Sequence, residues 1–135
     1  MEEKKLLNDR RAILSTLWVF YLVNILYADV LGLMGGGAAA TPEDVEAIAT
    51  FTSPKMLLGA AIFLEMAMVM IVFSRLLAQG MNRWANITVA TLHTAGLLAS
   101  LLVGTPTIYY IFFVIVEMAT LIFIVWYAWN WKNPF

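Results

Sequence analysis

The sequence predicts an all-α integral membrane protein, an antiparallel four-helix bundle with a short extracytoplasmic surface helix in its first loop. Three observations predict it. Hydrophobic residues make up 62% of the 135 positions and charged residues 13%, against roughly half apolar and about a quarter charged in soluble domains. Four apolar runs each approach the roughly 20 residues that a helix needs to cross about 30 Å of hydrocarbon. Basic residues alternate between heavy and sparse connections. The length suits a single domain over residues 1–135.

The runs are Ala12 to Met34, Met56 to Ser74, Ala85 to Val103 and Ile108 to Trp129. They lack the period-two alternation of barrel strands. In lipid each backbone amide needs a partner within its own segment, so the runs are expected as helices. Lys and Arg followed by the first run and by Ala38-Ala39-Ala40 resemble a secretion signal, but the run exceeds an h-region of about 7–15 residues and Asp29 interrupts it. Gly35-Gly36-Gly37 releases the first helix. Thr41-Pro42-Glu43-Asp44 then predicts a short surface helix over Pro42 to Thr50, with Thr as cap, Pro in the first turn and acids near the positive helix end. Pro54 opens the second span. Arg75 to Trp84, with Gly80 and Asn82, is expected as the second connection, and Gly104-Thr105-Pro106-Thr107 as a tight hairpin.

Lys4, Lys5, Arg10, Arg11, Arg75, Arg83 and Lys132 fall on one side of these spans and Lys55 on the other. The positive-inside rule then puts both termini in the cytoplasm, with the chain in the inner (plasma) membrane. Trp84, Trp126, Trp129 and Trp131 suit a cytoplasmic aromatic girdle, and Tyr109 and Tyr110 an outer one. Asn86-Ile87-Thr88 matches a glycosylation sequon but falls at the cytoplasmic face. The net charge of −1 offers no basic surface for nucleic acid, and the absence of cysteine excludes disulfides and thiolate sites.

Ionisable groups inside the spans are the functional signal, because each is costly in hydrocarbon and turns to the bundle interior. They are Asp29, Glu65, His93 and Glu117, one per helix. Glu65 and Glu117 each lie about 15 Å below the outer helix ends, and His93 about 13–14 Å above the inner end of its helix, at 1.5 Å rise per residue. Asp29 lies about 7 Å from the outer end of its helix by the same count. A common layer is therefore expected. Tyr21 and Asn24, with Thr91 and Thr94 beside His93, are candidate hydrogen-bonding neighbours. Glu65-Met66-Ala67 recurs as Glu117-Met118-Ala119, an echo that suggests two similar hairpins. Gly59, Ala60, Ala61 and Ala67, and Ala95, Gly96, Ala99 and Ser100, form small-residue ridges for close helix contact. Met56, Met66, Met68, Met70 and Met118 are read as flexible filler.

The candidate ligand-binding set is Asp29, Glu65, His93, Glu117, Asn24, Tyr27 and Tyr110, around a pocket for a small amphipathic ligand, a proton or an ion. No metal site is assigned, because the Glu-x-x-His pairs of di-iron bundles are missing. A single His excludes a bis-histidine haem within one chain, and the residues identify no cofactor. No nucleophile is accompanied by a base, so an enzyme is the weaker reading. The alternative is a structural or assembly protein, or a homo-oligomer, in which the carboxylates and His only fix helix packing. The lipid bilayer is the expected partner, and nucleic acid is not.

Several segments carry a family likeness: Leu14-Ser15-Thr16-Leu17-Trp18, Leu26-Tyr27-Ala28-Asp29-Val30-Leu31, Asn82-Arg83-Trp84-Ala85-Asn86-Ile87, and Tyr109-Tyr110-Ile111-Phe112-Phe113 through Val116-Glu117 to Trp126-Tyr127-Ala128-Trp129. With them the chain resembles an uncharacterised family of small bacterial four-helix membrane proteins, a domain of unknown function. That resemblance implies membrane location and four helices, and it implies no activity. The architecture is more distantly similar to DoxX-like proteins, an analogy of fold alone.

Overall fold

The computed structural model describes residues 1–34, 42, 46, 50, 52–102 and 106–131. It is all-α, with four long helices and no strand among the described residues: α1 (Glu2–Met34), α2 (Pro54–Leu76), α3 (Gln79–Ser100) and α4 (Ile108–Trp129). Most of the expected surface helix lies outside the described residues. Of it, Pro42, Glu46 and Thr50 are helical, and the Thr50 hydroxyl donates to the Glu46 carbonyl at 3.0 Å. The hairpin before α4 is described only at Pro106 and Thr107.

Several helix ends have a local cause. Glu2 and Glu3 occupy the first turn of α1, where the helix dipole favours acids. The polar segment from Glu2 to Arg11 continues the helix well before the apolar run begins. Pro54 sits in the first turn of α2, where its missing N–H costs nothing. Only Leu77 and Ala78, both extended, separate α2 from α3. The expected longer connection is therefore corrected. Gly80 and Asn82 belong to the first turns of α3.

Side chains from other helices finish the ends of α2 and α4. The terminal carbonyls of a helix have no intrahelical donor. Arg11 donates to the Leu77 carbonyl at 2.8 Å, and Asn82 Nδ2 to the Ser74 carbonyl at 2.7 Å. Arg10 donates to the Tyr127 carbonyl and Arg83 to the Trp129 carbonyl, each at 3.1 Å. Cations at helix C-termini also complement the dipole, worth about 0.3–1 kcal/mol apiece at exposed sites. The guanidinium of Arg10 further covers the Tyr127 ring at 4.7 Å, and that of Arg83 covers Trp129 at 5.2 Å. The first turns of α1 and α3 thus lie beside the last turns of α2 and α4.

Contacts run α1 to α2, α2 to α3, α3 to α4 and α4 back to α1. The interior is narrow. Leu14, Trp18 and Tyr21 of α1 meet Ala67 and Met70 of α2, Ala90 and Leu97 of α3, and Leu121 and Ile124 of α4. Trp131 joins this core at 4% exposure, so it is not part of an aromatic girdle, whereas Trp84, Trp126 and Trp129 stay exposed. Polar side chains share this apolar interior, and many large apolar ones lie outside it. Asn82, Asn86 and His93 are fully buried while Leu58, Ile62, Phe112 and Ile122 lie outside. α1, α2 and α4 are long and apolar enough to cross a membrane. α3 is long enough, but its inward side is too polar for it to read as an apolar span. The small-residue ridges divide: Ala67 is buried and Gly96 packs on a neighbour, while Gly59, Ala61, Ala95 and Ala99 face outward. Of the five methionines read as filler, Met70 alone is buried.

Candidate functional site

Each helix presents one stripe inward, and the stripes decide which polar residues meet. On α3 the buried positions are Asn82, Asn86, Ala90, His93 and Leu97, spaced by three or four residues along one helix face. On α4 they include Val114, Glu117, Leu121, Ile124 and Ala128. On α2 they are Ala67, Met70 and Ser74.

His93 sits at the centre, fully buried. Its Nδ1 pairs with the Tyr21 hydroxyl at 2.8 Å. Phe63 stacks on the imidazole at 3.8 Å between centroids, and Trp18 and Tyr21 meet it edge-on at 5.9 and 5.3 Å. The Phe63 main chain lies beside the ring, but among the described residues no group meets Nε2 in hydrogen-bonding geometry. Gly96 makes this stacking possible. A Cβ there would collide with the far edge of the Phe63 ring at Cζ.

Toward the first turns of α3 the interior is a paired amide network. Trp18 Nε1 donates to Asn86 Oδ1 at 2.7 Å, and the Ser74 hydroxyl donates to the same oxygen at 3.3 Å. Asn86 Nδ2 donates to Asn82 Oδ1 at 2.7 Å and to the Asn82 carbonyl at 2.8 Å. Ser15 donates to the Ile71 carbonyl at 2.8 Å and accepts from Arg75 Nε at 3.3 Å. Buried amides and hydroxyls with such complete partners fix how helices sit against one another.

On the other side of His93 a pocket of about 190 Å³ opens, to which all four helices contribute. Tyr21, Ala28 and Asp29 line it from α1, and Ala60 and Phe63 from α2. Gly96, Leu97 and Ser100 line it from α3, and Tyr110 and Glu117 from α4. Glu117 is 3% exposed, and no described side chain hydrogen-bonds its carboxylate. It interacts electrostatically with both Asp29 and Tyr21. Tyr110 donates to the Ser100 hydroxyl at 2.7 Å, tying α4 to α3 at the pocket wall. The described lining carries two carboxylates and no basic group.

Of the residues singled out from the sequence, Asp29, Tyr110 and Glu117 line this pocket, and His93 adjoins it through Tyr21. Glu65 does not join them. It is exposed, two residues from both Phe63 and Ala67, and 100° per residue turns it to the opposite side of α2. The Glu-Met-Ala echo therefore pairs an inward Glu117 with an outward Glu65. Tyr27 is 57% exposed on the outer surface of α1. Asn24 donates to the Phe20 carbonyl of its own helix, and Thr91 and Thr94 likewise bond the carbonyls of Ile87 and Ala90. Among the described residues no three acidic or imidazole side chains gather where they could hold a metal ion.

A model of a family of unknown function, DUF6326, matches residues 2–134. The chain belongs to that family. No curated protein and no solved structure matches it. Membership in DUF6326 covers the whole pocket and the whole amide network, and it assigns neither of them a role.

Proposed function

We propose that this DUF6326 member is an antiparallel four-helix integral membrane protein, with both termini in the cytoplasm of a cell whose inner membrane it spans, and that its pocket binds a small ligand, proton or ion. The observation that carries the reading is Glu117. A carboxylate in an apolar interior is costly without a partner. This one is buried, has no hydrogen bond from any described residue, and faces a pocket shared by all four helices. A few convergent polar groups on an apolar wall are the usual build of a ligand site. The outward apolar side chains support insertion in lipid, and the α1 and α3 starts beside the α2 and α4 ends support the antiparallel order.

The test is native mass spectrometry of protein released gently from the membrane. Wild-type protein is expected to carry a small bound species that Glu117→Gln reduces, with Glu65→Gln behaving as wild type. Equal occupancy in wild type and Glu117→Gln, or none in either, would reject the pocket as a ligand site.

A second reading has its own observation. The Trp18–Asn86–Asn82–Ser74 network is fully paired, as expected of a bundle whose buried polar groups only set helix register. If that is the whole role of the interior, Glu117→Leu should stabilise the protein by relieving a buried charge, and no bound species should be found.

A further inference from the structure

A second cavity adjoins the pocket. It is an apolar groove of about 360 Å³ on the outer side of the α1–α2 contact. Ile25, Asp29 and Leu64 line both spaces, so the two are neighbours that share these side chains as a common edge. Beyond the shared edge the groove wall is Val19, Leu22, Val23, Leu26, Met68 and Ile71. Asp29 is the only ionisable residue among its described lining residues. The pocket is small and sets two carboxylates on a largely apolar wall, whereas the groove is larger and almost wholly apolar.

We infer that the occupant is an amphipathic amine, its ammonium head in the pocket beside Glu117 and Asp29 and its alkyl chain along the α1–α2 groove. This rests on the ligand-site reading above and specifies its chemistry. Two carboxylates without a described basic neighbour favour a cation. Tyr21, Phe63 and Tyr110 border the same space, and aromatic rings attract cations placed over their faces. A bare divalent cation is a poorer fit, because Ca²⁺ takes about 6–8 oxygen ligands and Mg²⁺ about six. The wall here is mostly carbon, with oxygen from Glu117, Asp29, Ser100 and two tyrosines. An organic ammonium is satisfied by one or two carboxylates and an apolar surround. At about 190 Å³ the pocket is also smaller than the roughly 300–1,000 Å³ of sites for drug-sized ligands. It suits a compact head group, which leaves the groove for the chain. Access from the bilayer side follows, since the groove lies on the exposed face of the helices.

The test measures equilibrium binding of dodecyltrimethylammonium, tetramethylammonium and dodecyl sulfate to full-length protein in lipid nanodiscs, with empty nanodiscs as background. The long-chain ammonium should bind above background, the short one more weakly, and the sulfate not at all. Glu117→Gln and, independently, Asp29→Asn should each weaken both ammonium probes about tenfold or more, as loss of a charge-assisted contact implies. Met68→Trp, which fills the groove, should weaken the long-chain probe more than the short one. Ile115→Trp, on the outer surface of α4, should change neither. Helical content and melting of each variant establish that it is folded. Equal binding of sulfate and ammonium, or binding indifferent to both carboxylate variants, overturns the inference. So does a Glu117-dependent bound species that proves neutral or anionic, and in that case the ligand-site reading survives. If neither the probes nor any co-purified species depends on Glu117, both fall.

Discussion

Gly96 and Asn86 show how much of the interior rests on single atoms. Adding one methyl at Gly96 drives it into Phe63, whose ring cannot retreat without leaving the His93 stack. Gly96→Ala is expected to destabilise the protein by about 1–3 kcal/mol, the usual cost of overpacking, and Phe63→Leu should restore part of it. Thermal melts of the two single variants and the double variant check this. Asn86→Ala strands the buried Trp18 Nε1 donor and removes a partner of Asn82, at a cost of about 1–3 kcal/mol. Asn24→Ala removes only a bond to its own helix, so its melting point should stay near wild type, within about 0.5 kcal/mol. Equal destabilisation by the Asn24 and Asn86 substitutions would overturn that ranking. At this scale the sequence was partly legible. Glu117 falls on the inward stripe, three residues after Val114 and four before Leu121, and Glu65 falls off its own stripe. That phase could have separated the two carboxylates. Depth along the helix axis, which grouped them, says nothing about the direction around it. The Phe63–Gly96 contact was not legible, because it joins two helices whose relative rotation no single segment encodes.

At the scale of the element, α3 departs most from a hydropathy reading. Its inward stripe of Asn82, Asn86 and His93 is polar, and each of these groups finds a partner on α1 or α2 or within α3. In hydrocarbon alone those side chains would be unpaired, and polar residues near a helix centre oppose insertion. In a glycosylation-reporter insertion assay, isolated α2 and α4 are expected to insert efficiently and isolated α3 poorly. α3 should regain insertion when α1 and α2 precede it. Efficient insertion of α3 alone would mean that its network is not what holds it. The apolar segments were legible because four long runs admit few other assignments, and α4 begins and ends where its run does. The ends that differ are polar. α1 starts ten residues before its apolar run, because a charged turn can stay helical without being hydrophobic. The α2–α3 break shrank to two residues because Asn82 works as a buried cap for α2 rather than as a loop residue.

For the whole molecule, the proposed orientation rests on charge and is testable without background, because the chain contains no cysteine. The arginines that close the ends of α2 and α4 are the same residues on which the positive-inside reading rests. Arg10, Arg11 and Arg83 cluster at one end of the molecule, while Lys55 stands at the start of α2. In the proposed orientation one set of side chains both caps helices and resists translocation, and reversing it would carry the whole cluster across the membrane. Glu3, Met81, Lys55 and Ile108 are all exposed and lie near helix starts. Cysteine placed singly at Lys55 or Ile108 should react with a membrane-impermeant maleimide in intact cells. Cysteine at Glu3 or Met81 should react only after permeabilisation. Labelling of Glu3→Cys in intact cells would reverse the orientation. Labelling of Met81→Cys and Ile108→Cys from the same side would break the antiparallel order itself, because α3 would then not cross. The second outcome bears directly on the pocket. Gly96, Leu97 and Ser100 reach it only if α3 runs the full depth of the bundle beside α4.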